Sequence, residues 1–163
     1  MGKVPWIELE RELALVSSYL EIERVRFGDR LRVRVEMEDG LGGVQVPPLL
    51  LQPLVENAVR HGIATCLEGG TIQVEASQRG DVVWLTVTNP RDGESTRRGT
   101  GFGLDIVRRR LSGAFGTRAA LAVEPSPTDY RVSITWPMGA VASSEAGSKP
   151  SSEAGSLDPA RHL

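Results

Sequence analysis

Leu9, Leu13, Val16 and Leu20 recur at helical spacing, which predicts a helix over residues 7–27 with Tyr19 beside the apolar stripe. Glu8, Glu10, Arg11, Glu21 and Arg24 fill much of its other surface, and Phe27-Gly28-Asp29 supplies a stop. LRVRVEM (31–37) alternates apolar and polar side chains and reads as a half-buried strand. A glycine loop follows, and Pro47-Pro48 precede a second helix at roughly 49–62. Pro53 is awkward inside a helix, so the regular part is expected to begin near it, where a missing N–H costs little. TIQVEAS (71–77) and VVWLTVTN (82–89) are strands joined by a turn at Gly80-Asp81. Residues 90–102 are polar and glycine-rich and read as a mobile loop. A third helix is expected at about 103–115, then strands at 119–125 and 130–136.

From about residue 139 Ala, Ser, Gly, Glu and Pro dominate, and SSEAGS occurs at 143–148 and again at 151–156. Such a segment buries too little apolar surface to offset its ordering entropy, so 139–163 is expected to be a disordered tail. The remaining order of elements predicts an α/β fold, a two-layer sandwich. Its sheet is mixed and mostly antiparallel, about five strands against three helices.

Composition narrows the class. The chain has 163 residues, 40% apolar and 25% charged, with a formal charge of −2. That is a soluble globular balance and gives no reason to expect a nucleic-acid partner. Cys66 is the sole cysteine, which excludes a disulfide framework and fits a reducing cytoplasm. No apolar run reaches membrane-spanning length.

Two segments carry chemistry. In LLLQPLVENAVRHGI (49–63), helical spacing puts Asn57, Arg60 and His61 on one face, with Glu56 one step round. Asn57 offers a neutral oxygen suited to a phosphate-held magnesium ion. Arg60 and His61 are donors for phosphate oxygens, and Glu56 is a proton acceptor. Taken singly, each has a structural alternative: a backbone-satisfied amide, surface charge, or a histidine favouring a helix C-terminus. In GTGFGLDIVRRRL (99–111), Gly99, Gly101 and Gly103 run into a helix start. Glycine there leaves backbone N–H groups free to meet an anion, and the helix start adds unpaired donors. A flexible surface loop looks similar. The P-loop pattern GxxxxGK[ST] is missing, because Lys3 and Lys149 are the only lysines. The dinucleotide GxGxxG pattern and the strand lysine of eukaryotic-type kinases are missing too.

Residues 7–137 resemble the ATP-binding catalytic domain of bacterial sensor histidine kinases, most of all the LytS/YehU-like group that works with LytTR-type response regulators. VPPLLLQPLVENAVRHGI (46–63) resembles the family's N box, GTGFGLDIVRRRL its later glycine box, and SITWP (133–137) its closing strand. ELALVSSYLEIERVRFGDRL (12–31) resembles the helix leading in from the phosphoacceptor region. The resemblance implies the Bergerat, or GHKL, fold with ATP and Mg²⁺ as ligands. It implies Asn57 as the metal ligand, Glu56 as the catalytic acid–base group, and Arg60 and His61 as phosphate contacts. Asn89, Gly93, Gly99, Thr100, Gly101, Phe102, Gly103 and Leu104 then fall on the nucleotide, and 90–102 becomes a lid. The implied division is a linker helix at 1–28, the ATP-binding domain at 29–138 and the tail.

The chain departs from the family pattern in three places. Thr88-Asn89-Pro90 stands where an adenine-binding aspartate followed by Asn-Gly is usual; Asp129-Tyr130 replaces a common Gly-Thr; and Asp92-Gly93 stands in for the second glycine of the first glycine box. Besides His61 the chain has only His162, in the tail, so no phosphoacceptor histidine is evident. The expectation is a kinase catalytic domain on the cytoplasmic side of a membrane-bound homodimer, acting on a histidine of an upstream helix absent from this chain. The alternative is a weakly catalytic or non-catalytic GHKL regulatory module of the anti-sigma kind. A gyrase-type ATPase is disfavoured, because Pro53 occupies the position of its water-activating acid.

Overall fold

A computed structural model describes residues 6–92 and 102–139. β1 (Ile7–Glu8) leads into α1 (Leu9–Phe27), a single 3₁₀ turn and β2 (Leu31–Met37). After β3 (Gln45–Val46) comes α2 (Gln52–Asn57), continued without a break by a wider π turn over Ala58–Ile63. β4 (Gly70–Arg79) and β5 (Val82–Pro90) form a hairpin; α3 (Phe102–Phe115), β6 (Ala120–Pro125) and β7 (Asp129–Pro137) complete the order.

The main sheet has the order β2-β4-β5-β7-β6. β2 pairs with β4 in parallel and the other pairings are antiparallel. The parallel pair follows from the long connection between β2 and β4, which carries α2 across the sheet; two-residue hairpins can join only antiparallel neighbours. The expected mixed, mostly antiparallel sheet against three helices is therefore what forms. β1 and β3 add a two-residue ribbon outside that plan.

One core lies between the sheet and the helices. Leu9, Leu13, Val16 and Leu20 of α1, Leu54, Val55 and Val59 of the second helix, and Val107 and Leu111 of α3 are buried with Ile72, Val74, Leu85 and Ile134 of the sheet. At one end Phe115 stacks on Trp136, centroids 5.3 Å apart, and meets Trp6 at 5.7 Å. Aromatic contacts of this kind add to area burial. Gly69, at φ +69°, leads into β4 where any Cβ would run into the Arg30 backbone, so the close approach there requires glycine.

Candidate nucleotide site

The site is built on the second helix, and its two ends are fixed by side chains from elsewhere. Pro53 lies in the first turn, as its missing N–H requires. The start is held by α1: the Glu12 carboxylate, 1% exposed, accepts the N–H of Leu49 at 3.2 Å and of Leu51 at 3.0 Å. The end is held by Arg30, whose Nη2 donates to the carbonyls of Ile63 at 2.9 Å and Cys66 at 2.7 Å. An anion at the start and a cation at the end both complement the helix dipole.

Between those ends the winding changes. From Ala58 the hydrogen bonds lengthen to the π pattern, as in Ala64 N–H to Val59 carbonyl at 3.0 Å. Wide turns of this kind often occur at functional sites. They also change which residues share a face. Asn57 is half-buried and turned to α3: a Cβ placed on Gly103 would lie 3.0 Å from the Asn57 Cγ and in contact with its Nδ2. Glu56 and Arg60 instead line a cleft of about 190 Å³ with Tyr19, Glu23, Arg26 and Phe27 of α1. The single polar face drawn from helical spacing is thus divided in two, with Asn57 on the α3 side and Glu56 with Arg60 on the α1 side.

Burial and local charge set the protonation of these groups. His61 is half-buried, and burial first, the Arg60 charge second, lower its pKa below 6.5. It is therefore a neutral donor at pH 7, not a cation. Burial raises the Tyr19 phenol, the Glu23 and Glu56 carboxylates raise it further, and Arg60 and Arg26 oppose them. Glu56 itself accepts from Gln52 Nε2 at 3.2 Å.

The far wall is β5. Asn89 is buried, with Nδ2 donating to the Pro90 carbonyl at 2.9 Å, which leaves its Oδ1 as an acceptor. Gly62 packs directly on it: a Cβ there would come within 2.7 Å of Asn89 Nδ2. Tyr130 pairs with Asn89 in register across β5 and β7. Burial raises its phenol, against the opposing charges of Arg108 and Arg91. Leu104 is half-buried against the core, and Phe102 opens α3. Gly93, Gly99, Thr100 and Gly101 lie outside the described residues, as do the tail from 140 and most of the expected lid.

The structure thus sets the Asn57 carboxamide against the start of α3, and Gly62 against Asn89 on β5, whose register partner on β7 is Tyr130. Among the described residues no group of three or more His, Cys, Asp or Glu forms a metal cluster. Residues 46–140 match the family described as histidine kinase-, DNA gyrase B- and HSP90-like ATPases. The chain belongs to this family. Within it, the chain is 31% identical over 134 residues to the sensor histidine kinase BtsS of Escherichia coli K12, covering 81% of this chain and 24% of BtsS. It is 32% identical over 144 residues to the sensor protein LytS of Staphylococcus haemolyticus, covering 80% and 25%. The chain spans about a quarter of the length of these relatives. The catalytic domain of the histidine kinase ThkA shares the fold, with a TM-score of 0.62 at 18% identity, over 84% of this chain and 97% of that one. The fold, the family and its relatives make this an ATP-binding catalytic domain of the histidine-kinase kind.

Glu12 and Arg30 escaped the sequence reading. Glu12 carried a signal, since it falls on the buried face between Leu9 and Leu13, where an unpaired carboxylate is costly. Arg30 carried none; its role depends on how the chain returns to the helix end.

Proposed function

We propose that this chain binds Mg-ATP between the second helix and α3 and transfers the γ-phosphoryl group to a histidine on an upstream helix, for relay to a response regulator of LytTR type. The observation that carries the reading is the packing of the Asn57 carboxamide on the Gly103 backbone. There the proposed metal ligand meets the first turn of α3, the part of a helix that offers N–H donors to an anion, and a Cβ on Gly103 would fill the space between them. Magnesium held by Asn57 and the phosphates would neutralise charge developing on the phosphoryl oxygens.

The chain's own residues supply the rest. His61 donates a hydrogen bond to a phosphate oxygen, and the Arg60 guanidinium swings from its exposed position to do the same. Asn89 Oδ1 accepts from the adenine amine, with Gly62 and Tyr130 closing that end. The incoming imidazole enters from the α1 side, where Glu56 takes its N–H proton as nitrogen bonds to phosphorus and the bond to ADP oxygen breaks. In the longer protein the domain would work as one half of a membrane-bound homodimer, on its cytoplasmic side.

A Mg-ATP titration of wild type, Asn57→Ala and Asn89→Ala tests the reading. Asn57→Ala is expected to weaken magnesium-dependent binding by about 10-fold or more, on the scale of a lost ligand-shell contact. Equal binding by Asn57→Ala would remove the metal assignment. A fragment carrying the upstream helix should then become phosphorylated in a Glu56-dependent way. Because Asn89 lacks the charge of the usual aspartate, tight binding with no transfer would favour the regulatory-module reading.

A further inference from the structure

We propose that Glu12 and Arg30 are positioning residues, a bracket through which α1 sets the placement of Asn57. Glu12 is a fully buried carboxylate on the core-facing side of α1. Both its oxygens are used by the chain leading into the second helix, one by Leu49 N–H and one by Leu51 N–H. Arg30 lies just past the other end of α1, and its guanidinium grips the carbonyls of Ile63 and Cys66 at the far end of the second helix. The same guanidinium sits 5.7 Å from the Phe27 ring centroid, so it is tied back to α1 itself. The two ends of one short element are thus held by the two ends of another.

Leu49 is the joint in this arrangement. Its φ of +59° is a left-handed conformation that a leucine rarely adopts and that persists only where surrounding contacts impose it. Its N–H is held by Glu12, and its carbonyl accepts from Arg110 of α3. One strained residue therefore joins α1, the helix that carries Asn57, and α3, whose first turn holds Gly103. An axial or rotational displacement of α1 moves Glu12 and Arg30 together. The second helix follows, and the contact between Asn57 and Gly103 changes with it. Charge-assisted bonds to backbone N–H and C=O groups are short and directional, which suits them to transmitting position.

The inference rests on the proposed nucleotide site for only one of its two readouts. In the isotopically labelled 163-residue chain without nucleotide, Glu12→Gln is expected to shift the NMR signals of the Asn57 side-chain amide and the Gly103 backbone amide. Glu21→Gln, an exposed carboxylate of the same helix, is expected to leave both in place. Arg30→Lys keeps the charge but loses the planar fork, and it should move the same two signals from the opposite end; it also serves if Glu12→Gln fails to fold. In the folded variants Mg-ATP affinity should fall by about 10-fold. Shifts confined to residues near 49–51 and 63–66, with Asn57 and Gly103 unmoved, would overturn the proposal. If wild type itself fails to bind Mg-ATP, the nucleotide assignment falls alone, and the two amide signals still decide whether the bracket positions the helix.

Discussion

His61 shows how one side chain reads both the fold and its ligand. Burial and the Arg60 charge hold its folded pKa below 6.5, so between the folded value and 6.5 the unfolded chain binds a proton that the folded chain does not. Stability from this residue is complete above about pH 6.5 and is lost as pH falls through that window. The urea midpoint should therefore drop more steeply from pH 7.5 to 5.5 in wild type than in His61→Asn; parallel profiles would show that His61 is not the group responsible. A triphosphate beside the ring acts in the opposite direction, favouring the imidazolium. Its NMR titration should accordingly move upward when Mg-ATP is added. The residue was legible in the sequence as part of the VRHG string, but its neutrality was not. Arg60 is its neighbour in the chain, but the larger cause is burial, which depends on how the helix packs and not on local sequence.

At the scale of elements, α3 carries two glycines with opposite expected behaviour. Gly103 faces the Asn57 carboxamide, whereas a Cβ on Gly113 meets nothing within 4 Å. Gly113→Ala should therefore stabilise the chain by about 0.5–1 kcal/mol through helix propensity, raise the melting temperature by a few degrees, and leave nucleotide affinity alone. Gly103→Ala must push Asn57 aside and should lower Mg-ATP affinity. Calorimetric binding together with thermal unfolding separates the two, and equal binding by Gly103→Ala would show that the contact is not needed. The element boundaries themselves were largely legible. β2 was read at 31–37 and forms at Leu31–Met37; β4, β5, α3, β6 and β7 differ from their expected spans by a few residues at most. Strong period-2 and helical patterns explain this. The π turn at Ala58–Ile63 was not legible, because one widened turn leaves the apolar spacing of Val55, Val59 and Ile63 looking helical. The two-residue ribbon of β1 and β3 is too short to carry a pattern at all.

For the whole molecule, the question is whether α1 is an appendage or part of the domain. Read as a sequence, residues 1–28 look like a linker that ends where the ATP-binding domain begins. Packing gives α1 a further role. Leu9, Val16 and Leu20 are fully buried and Leu13 is 5% exposed, in the same core as the sheet and the other two helices. Four such side chains are worth roughly 6–12 kcal/mol of burial, an upper bound because unfolded chains already bury some of that surface. Typical domains are stable by only about 5–15 kcal/mol. Removing residues 1–28 would also strip the Glu12 carboxylate from two N–H groups at the start of the second helix, that of Leu51 buried. The chain from residue 29 onward is therefore expected to lose cooperative unfolding and to bind a hydrophobic dye. A version cut before residue 6 should keep both its melting transition and its resistance to the dye. Circular dichroism against temperature distinguishes these outcomes. A sharp transition in the chain from 29 onward would mean that α1 is a detachable lever. Loss of that transition would mean that any signal arriving through α1 acts on the core that holds Asn57 in place.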